Sequence, residues 1–196
     1  MSKKPIRLAV VVGSTRKGRL GPTVAKWFIE QARTHGDLDI AVLDLAEAGL
    51  PAELSGPPKD GVYASPQVTA YAAEVAAADA FVVITPEYNR GYPAGLKLAI
   101  DSVYSEWHAK PVAFVSHGGY SGGLRAVEQL RQVFVELHAM TIRDSVSFPM
   151  ANEQFSEGGK PRDAEGAAVA AKQMLNQLVW WAEALRTARE DRPYAF

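Results

Sequence analysis

A short segment, residues 13–23 (GSTRKGRLGPT), combines the residue types that proteins use to bind phosphate. The hydroxyl groups of Ser14, Thr15 and Thr23 can donate hydrogen bonds to phosphate oxygens, and the guanidinium groups of Arg16 and Arg19 can neutralise their negative charge. The segment lies between an apolar run and a helical pattern, so free N–H groups at the start of that helix would face the same ligand. We predict a phosphate site here, with a solvated basic turn as the alternative.

The glycine spacing of this loop excludes two common nucleotide-binding patterns. The dinucleotide fingerprint G-x-G-x-x-G is absent, because two hydroxyl residues follow Gly13. Gly13 and Gly18 have the four-residue gap of the NTPase phosphate loop, but Arg19 and Leu20 replace its lysine and its magnesium-binding hydroxyl. A terminal monophosphate therefore fits the loop better than a nucleoside triphosphate.

A second glycine-rich segment, residues 116–123 (SHGGYSGG), allows the backbone to approach a ligand closely. It also matches the G-x-S-x-G pattern of α/β-hydrolases, with Ser121 in the place of the nucleophile. That chemistry requires an acid and then a histidine later in the chain, whereas the last histidine is His138, one helix away. We therefore reject a hydrolase triad. We interpret His117 as a solvent-exposed side chain, with substrate contact as the alternative.

A third segment, residues 85–93 (TPEYNRGYP), is stiffened by two prolines and carries two tyrosines. A flat ring ligand requires exposed backbone amides and aromatic edges beside it, and this segment offers both. An ordinary turn between a strand and a helix is the alternative. The aromatic side chains that are candidates for the walls of a substrate space, with simple packing as the alternative, are Tyr88, Tyr92, Trp107 and Tyr120.

Each of these segments follows an apolar, strand-like run, and five such runs alternate with helical patterns. This alternation predicts an α/β fold: a doubly wound, five-stranded parallel sheet of order 2-1-3-4-5 with helices on both faces. The carboxyl ends of strands 1, 3 and 4 meet at one crevice in such a sheet, so the three segments should converge. The predicted strands are 6–12, 39–45, 80–85, 111–116 and 140–146. The first predicted helix begins near residue 22, and the others cover 66–78, 93–104, 124–138 and 164–189. The predicted loops include 46–65 and a polar connection at 149–163.

The composition limits the classes of protein to which the chain can belong. Its 196 residues are 47% hydrophobic, which is enough for one core, and we predict a single domain over residues 1–196. The 21 Lys+Arg and 22 Asp+Glu leave a net charge of −1, which argues against a nucleic acid or membrane partner bound by overall charge. Cysteine is absent, which excludes disulfides and thiolate metal sites. We find no signal peptide or membrane span and expect a soluble, cytoplasmic protein.

Taken together, the segments resemble the NAD(P)H-dependent FMN reductase family of flavodoxin-like proteins, which includes quinone, chromate and azo-dye reductases. The resemblance covers about residues 5–145, and its most specific part is the T-P-E-Y-N run before P-x-G-L-K. The matching segments are GSTR (13–16), TPEYN (85–89), PAGLK (93–97) with ID (100–101), and Ser116 with the glycines that follow it.

The resemblance implies FMN as the cofactor and NADPH or NADH as the co-substrate. FMN would carry the redox chemistry, so neither a side-chain nucleophile nor a metal is expected. Electrons would pass by a ping-pong mechanism to a small electrophile, namely a quinone, an azo compound, chromate or free flavin, and the protein would be a homodimer or homotetramer. The implied cofactor-binding residues are Ser14, Thr15, Arg16, Arg19, Leu20, Gly21, Pro22 and Thr23 for the phosphate, Pro86, Glu87, Tyr88 and Asn89 for the isoalloxazine ring, and Ser116, Gly118 and Gly119 beside it.

Two details concern charge at this predicted site. Many family members have serine and asparagine where this chain has Arg19 and Gly21, and we hypothesise that Arg19 replaces the lost hydroxyl with charge. The amides of Gly118 and Gly119, together with the N-terminus of the next helix, are suited to stabilising negative charge on the reduced ring.

The alternative class is a flavodoxin-type electron carrier, or an FMN-binding module that does not turn over NAD(P)H rapidly. Such carriers tend to be strongly acidic, because they dock on protein partners by charge, whereas this chain is nearly neutral. They also lack the P-E-Y-N segment before P-x-G-L-K, so we favour the enzyme. Whether FMN stays bound or is released as a reduced product is left open by the sequence, as is the choice between NADH and NADPH.

Overall fold

The computed structural model describes residues 4–36, 38–56, 58 and 62–195. Its centre is a five-stranded sheet of order β2-β1-β3-β4-β5 in which all neighbouring strands are parallel, as predicted. Within the loop predicted over residues 46–65, positions 57 and 59–61 lie outside the described residues, as do residues 1–3, 37 and 196 of the predicted domain. The strands are β1 (Ile6–Val12), β2 (Leu38–Asp44), β3 (Ala80–Pro86), β4 (Pro111–His117) and β5 (Met140–Phe148).

Helices cover both faces of the sheet, which confirms the predicted doubly wound architecture. One face is covered by α1 (Gly21–His35) and by the long last helix, α6 (Ala164–Asp191). The opposite face is covered by α2 (Pro66–Ala77), α3 (Ala94–Asp101) and α4 (Leu124–Glu136). The sheet therefore separates two hydrophobic cores, and its carboxyl edge is left for the connecting loops.

The central strands are apolar throughout because both of their faces are covered. Every residue of β3 is buried, and its side chains alternate between the two cores. Val82 and Ile84 point to the core beneath α1 and α6, whereas Phe81 and Val83 point to the other. The edge strand β2 is less enclosed, since its Val42 is half exposed.

Short polar residues set the starts of two helices. The Ser65 hydroxyl accepts a hydrogen bond from the Val68 amide at the start of α2, and Pro66 occupies the first helical position. The Asp163 carboxylate accepts a hydrogen bond from the Gly166 amide at the start of α6. None of the helices in the described ranges is long and apolar enough to cross a lipid bilayer.

The main departure from the predicted elements follows β5. This strand continues two residues beyond the prediction, to Phe148, because Ser147 and Phe148 pair with the last two residues of β4. The Phe148 ring then packs against Trp27, with 5.0 Å between ring centroids. Residues 149–163 connect β5 to α6, as predicted, but they also contain a short helix that was not predicted, α5 (Ala151–Gln154).

Candidate functional site

A cavity of about 420 Å³ opens at the carboxyl edge of the sheet, where the loops after β1, β3, β4 and β5 meet. Its volume lies within the range of about 300–1,000 Å³ that small-molecule and cofactor sites occupy. The position agrees with the predicted crevice, because strand order reverses between β1 and β3. The lining residues are Ser14, Arg16, Lys17, Gly18, Arg19, Leu20, Pro86, Glu87, Tyr88, His117, Gly118, Gly119, Met150, Ala151, Asn152 and Glu153.

The cavity brings together residues from all three predicted segments. The predicted cofactor-binding residues that line it are Ser14, Arg16, Arg19, Leu20, Pro86, Glu87, Tyr88, Gly118 and Gly119. The predicted residues outside its lining are Thr15, Gly21, Pro22, Thr23, Asn89 and Ser116. The cavity shows where these residues lie, and the binding of FMN by individual residues stays a prediction.

Arg19 holds the loop between β1 and α1 in place. Its guanidinium group forms a bidentate ion pair with Asp44 at the end of β2, with N–O distances of 2.5 and 2.8 Å. It also donates to the Ser14 carbonyl at 2.7 Å. The Asp44 hydrogen bonds raise the pKa of Arg19. Arg19 therefore borders the cavity while its charge is compensated by Asp44, which differs from the hypothesis that this charge is directed at a phosphate.

Arg16 and Lys17 are the exposed cations of this loop. Neither forms an ion pair with another residue of the described ranges. The Arg16 guanidinium carbon lies 5.8 Å from the centroid of the Tyr88 ring, and the Tyr88 hydroxyl is 2.9 Å from the Ser14 hydroxyl. The loops after β1 and β3 are thus tied together beside two cations whose charges remain available to an anion.

Glu87 caps α4 from outside that helix. Its carboxylate accepts hydrogen bonds from the Ser121 hydroxyl at 2.7 Å and from the Arg125 amide at 3.2 Å, and it pairs with the Arg125 guanidinium at 3.0 Å. Burial by itself would raise the pKa of Glu87, but these hydrogen bonds more than compensate and lower it. The α4 N-terminus therefore already has a carboxylate partner, and its predicted role toward a reduced ring stays a prediction. The Ser121 hydroxyl is likewise engaged by this carboxylate.

The glycine-rich loop after β4 is folded by its own hydrogen bonds. The Ser116 hydroxyl donates to the Gly122 carbonyl at 2.8 Å, so Ser116 shapes the loop from below the cavity. The Gly118 amide donates to the Phe148 carbonyl, which removes it from the predicted pair of ligand-facing amides. Among the described residues, the Gly119 amide has no backbone or side-chain acceptor. Gly119 is therefore the glycine whose N–H remains available at the cavity.

Two further predicted residues have local structural roles. Asn89 has a φ of 51° and Arg90 a φ of 72°, and they form the tip of a tight turn closed by two hydrogen bonds between Tyr88 and Gly91. Thr15 packs against the start of α3, where a Cβ on Gly95 would lie 3.1 Å from the Thr15 methyl carbon. Asn89 of the P-E-Y-N segment thus forms part of a turn, and Gly95 of the P-x-G-L-K segment allows a close contact with Thr15.

His117 differs from its predicted exposure. As the last residue of β4 it is only 6% exposed, and its Nε2 has no hydrogen-bond partner within the described part of the chain. Burial lowers the pKa of His117 to about 4. A neutral imidazole whose Nε2 is buried and unpartnered therefore lies beside the cavity.

The residues after β5 were missed by the sequence interpretation. Met150 and Ala151 donate backbone hydrogen bonds to the carbonyls of Gly119 and Gly118, which places the start of α5 against the glycine-rich loop. A usable signal existed, since β5 neighbours β4 in the predicted order and its carboxyl end must reach the same edge. The polar composition of residues 149–163 concealed it.

The four aromatic candidates have different environments. Tyr88 lines the cavity. Tyr92 is partly buried against the core beneath α2, α3 and α4. Trp107 is fully buried in that core and donates to the Ile100 carbonyl, so it is a packing residue. Tyr120 is 92% exposed and lies outside the cavity lining.

A parallel sheet of order 2-1-3-4-5 with a ligand cavity at its carboxyl edge defines the flavodoxin-like class of α/β proteins. Within this class, the sequence model of the NADPH-dependent FMN reductase family matches residues 6–153, and the chain belongs to that family. It is accordingly an oxidoreductase with FMN as cofactor and NAD(P)H as co-substrate.

Individual relatives agree with this assignment. The chain is 36% identical over 148 residues to an NAD(P)H-dependent FMN reductase of Schizosaccharomyces pombe, covering 73% of this chain and 74% of the relative. It is 34% identical over 151 residues to the quinone reductase of Escherichia coli K12, with 72% and 76% covered. The solved structure of FerB, a flavoenzyme NAD(P)H:acceptor oxidoreductase from Paracoccus denitrificans, superimposes with a TM-score of 0.66 at 27% identity, covering 91% of this chain and 98% of FerB.

The residues around the cavity fit FMN. Arg16 and Lys17 offer positive charge to a phosphate, and the Gly119 amide and the buried His117 Nε2 are polar groups without partners in the described structure. Buried polar groups are normally hydrogen-bonded, so the solvent-shielded and unpartnered His117 Nε2 leaves the imidazole a hydrogen bond to gain from a ligand or water once the ring turns toward the cavity.

Proposed function

We propose that this protein holds FMN in the carboxyl-edge cavity and passes electrons from NADPH or NADH to a small electrophile by a ping-pong mechanism. A quinone, an azo compound, chromate or free flavin would serve as the acceptor. One observation carries the proposal: a basic loop, the Tyr88 ring and a free glycine amide converge on one cavity in a chain of the FMN reductase family.

The residues of this chain bind the cofactor and orient it. Arg16 and Lys17 attract the phosphate, while Ser14 is held by Tyr88 and by the Arg19–Asp44 pair. Bound FMN supplies the hydride and electron transfer chemistry. The Gly119 amide and the backbone of residues 86–88 would lie beside the isoalloxazine ring. The nicotinamide and the acceptor would then share one substrate space and bind in turn.

The first test is spectroscopic. The purified protein, saturated with FMN, should show flavin absorption near 370 and 450 nm (approximate values for this cofactor) that bleaches when NADPH or NADH is added without oxygen. Initial rates measured with varied NADPH and a benzoquinone should give parallel double-reciprocal lines. Protein that stays colourless with FMN and oxidises neither nicotinamide contradicts the proposal. FMN binding with only slow bleaching supports the electron-carrier alternative.

A pair of arginine variants links this activity to the cavity. Arg16→Ala should weaken FMN binding by roughly tenfold, because it removes a charge-assisted phosphate contact. Arg143→Ala is the matched control, since its side chain is 89% exposed and lies outside the cavity lining. Equal FMN affinity in the two variants would count against Arg16 as a phosphate residue.

We further propose that residues 1–196 act as one FMN-binding domain in a cytoplasmic homodimer or homotetramer. Exposed apolar side chains on α4, Leu124 and Val135, and Trp180 on α6 support an association between subunits. Trp180 is 62% exposed, whereas Trp181 packs against the core. Light scattering after size-exclusion chromatography should give two or four times the chain mass, and a monomer at micromolar concentration would contradict this part of the proposal.

A further inference from the structure

His117 ends β4 at the point where the strand reaches the cavity. The preceding residues Ala113 and Val115 belong to the core beneath α1 and α6, so strand alternation directs the His117 side chain to that same face. The opposite face receives Ser116, whose hydroxyl is bonded to the glycine-rich loop. The His117 carbonyl accepts a hydrogen bond from the Glu87 amide, so the residue borders the loop after β3 as well.

The imidazole is enclosed but incompletely bonded. Residue His117 is 6% exposed and belongs to the cavity lining, and its Nε2 is shielded from solvent and has no partner in the described ranges. A neutral imidazole carries one donor and one acceptor, so it can hydrogen-bond with either kind of group on a ligand. Burial lowers the pKa of His117 to about 4, which keeps the ring neutral near pH 7.

We propose that His117 is a ligand-contacting residue whose imidazole hydrogen-bonds to the isoalloxazine ring of bound FMN. The inference rests on the proposed function and adds a residue to it. The ring is the assigned partner because His117 adjoins Glu87 and Gly118, whereas the exposed cations Arg16 and Lys17 lie in a different loop. The histidine χ2 torsion is broad and roughly two-fold, so either edge of the imidazole can face the cavity.

A contact to the ring and a contact to the phosphate have different signatures. Loss of the His117 contact should weaken FMN and riboflavin equally, because both contain the isoalloxazine ring. Loss of Arg16 should weaken FMN alone, because riboflavin has no phosphate. His117→Phe keeps a flat ring without polar atoms, and His117→Gln restores an amide donor and acceptor at a similar reach.

The measurement is a fluorescence titration of the full chain, freed of co-purified flavin, with FMN and with riboflavin. His117→Phe should raise both dissociation constants by about threefold to tenfold, and His117→Gln should recover most of the loss. The melting temperature of flavin-free His117→Phe should be unchanged or higher, because the variant removes an unpartnered buried nitrogen. A purely structural role would instead lower the melting temperature.

Nitrogen NMR of the wild-type imidazoles provides a second readout that needs no variant. FMN should shift the ring nitrogens of His117 and leave those of His35, at the far end of α1, unchanged. If the wild type binds FMN but His117→Phe binds it equally well and the His117 signals do not move, the inference is wrong and the proposed function stands. If the wild type binds no FMN, both are wrong. If His117→Phe does not fold, the wild-type NMR spectra and the flavin affinities of His117→Gln test the inference in its place.

Discussion

At the scale of single residues, several cavity side chains form contacts within the protein that hold the surrounding loops in place. The guanidinium of Arg19 is held by Asp44 and by the Ser14 carbonyl, and the carboxylate of Glu87 caps α4. Both residues match positions that the family resemblance assigns to cofactor binding. Their observed contacts fix the loops after β1 and β3, and those loops give the cavity its shape.

Removal of the Arg19–Asp44 pair should therefore cost stability as well as FMN affinity. We expect Arg19→Ala to lower the free energy of unfolding by about 2 kcal/mol, because it leaves a partly buried carboxylate without its partner. The side chains of the pair are only 15% and 17% exposed. Urea unfolding monitored by circular dichroism measures the loss.

The control for this pair is Lys97→Ala. Lys97 pairs with Asp101 one turn along α3, but the two side chains are 41% and 29% exposed. Such a pair contributes at most about 0.5 kcal/mol. Equal losses in Arg19→Ala and Lys97→Ala would refute a special role for the Arg19–Asp44 pair in the loop.

Glu87→Gln should destabilise the protein in a pH-dependent manner. Loss of the charge weakens the bonds to Ser121 and Arg125, and we expect a deficit of about 1–2 kcal/mol near pH 7. The folded pKa of Glu87 lies below its ordinary value of 4.5. Its stabilisation is therefore complete above that value and is lost as the pH falls through the lowered pKa.

Chemical denaturation of wild type and Glu87→Gln at several pH values tests this. The difference between them should be constant above about pH 5 and shrink at lower pH. Glu128→Gln, whose side chain is 73% exposed, should change stability by less than about 0.5 kcal/mol throughout. A Glu87→Gln deficit that persists undiminished in acid would indicate packing rather than charge.

At the scale of elements, the turn between β4 and α4 depends on glycine for steric reasons. Gly123 has a φ of 89°, and a Cβ there would lie 2.7 Å from the Ser116 Cβ and 3.0 Å from the His117 amide. The turn folds back so tightly that its end contacts its own beginning. This tight fold brings Gly118 and Gly119 beside the start of α5.

Gly123→Ala should accordingly reduce stability by at least about 2 kcal/mol, through left-handed backbone strain and the close contacts. Gly119→Ala is the matched control within the same loop, because a Cβ on Gly119 meets no atom within 4 Å. Gly119→Ala should retain the wild-type melting temperature and weaken FMN binding only. Thermal melts and FMN titrations of both variants separate the two effects, and similar melting temperatures would show that the turn tolerates a side chain.

At the scale of the whole molecule, the cavity exists only where four loops from distant parts of the sequence meet. A ligand that binds there stabilises the folded chain, because the unfolded chain has no such site. FMN at a hundredfold excess over its dissociation constant adds about 2.7 kcal/mol. For a chain of this length each kcal/mol corresponds to roughly 2–4 °C.

We therefore expect FMN to raise the melting temperature by roughly 5–10 °C at that excess. Riboflavin at the same concentration should raise it less, since it lacks the phosphate that Arg16 and Lys17 attract. In Arg16→Ala the difference between the two flavins should narrow. Differential scanning fluorimetry measures all three, and identical shifts for FMN and riboflavin in the wild type would contradict a phosphate subsite in this cavity.

The amino-acid sequence determined the fold class, the strand order and the edge of the sheet at which the cavity opens. These properties follow from local patterns: apolar runs that must be buried on both faces, glycine and proline turns, and the handedness of crossovers between parallel strands. The segments GSTR, TPEYN and SHGG were recognisable for the same reason, since each is continuous in the chain.

The tertiary structure alone decided which atoms remain available to a ligand. Arg19 is paired with Asp44, the Gly118 amide with Phe148, and the α4 N-terminus with Glu87, and all three partners are distant in sequence. His117 is buried where β4 pairs with the extended end of β5, which no pattern around residue 117 reveals. Hydrogen bonds and burial between separated segments depend on packing in three dimensions, whereas sequence patterns report only the local chain.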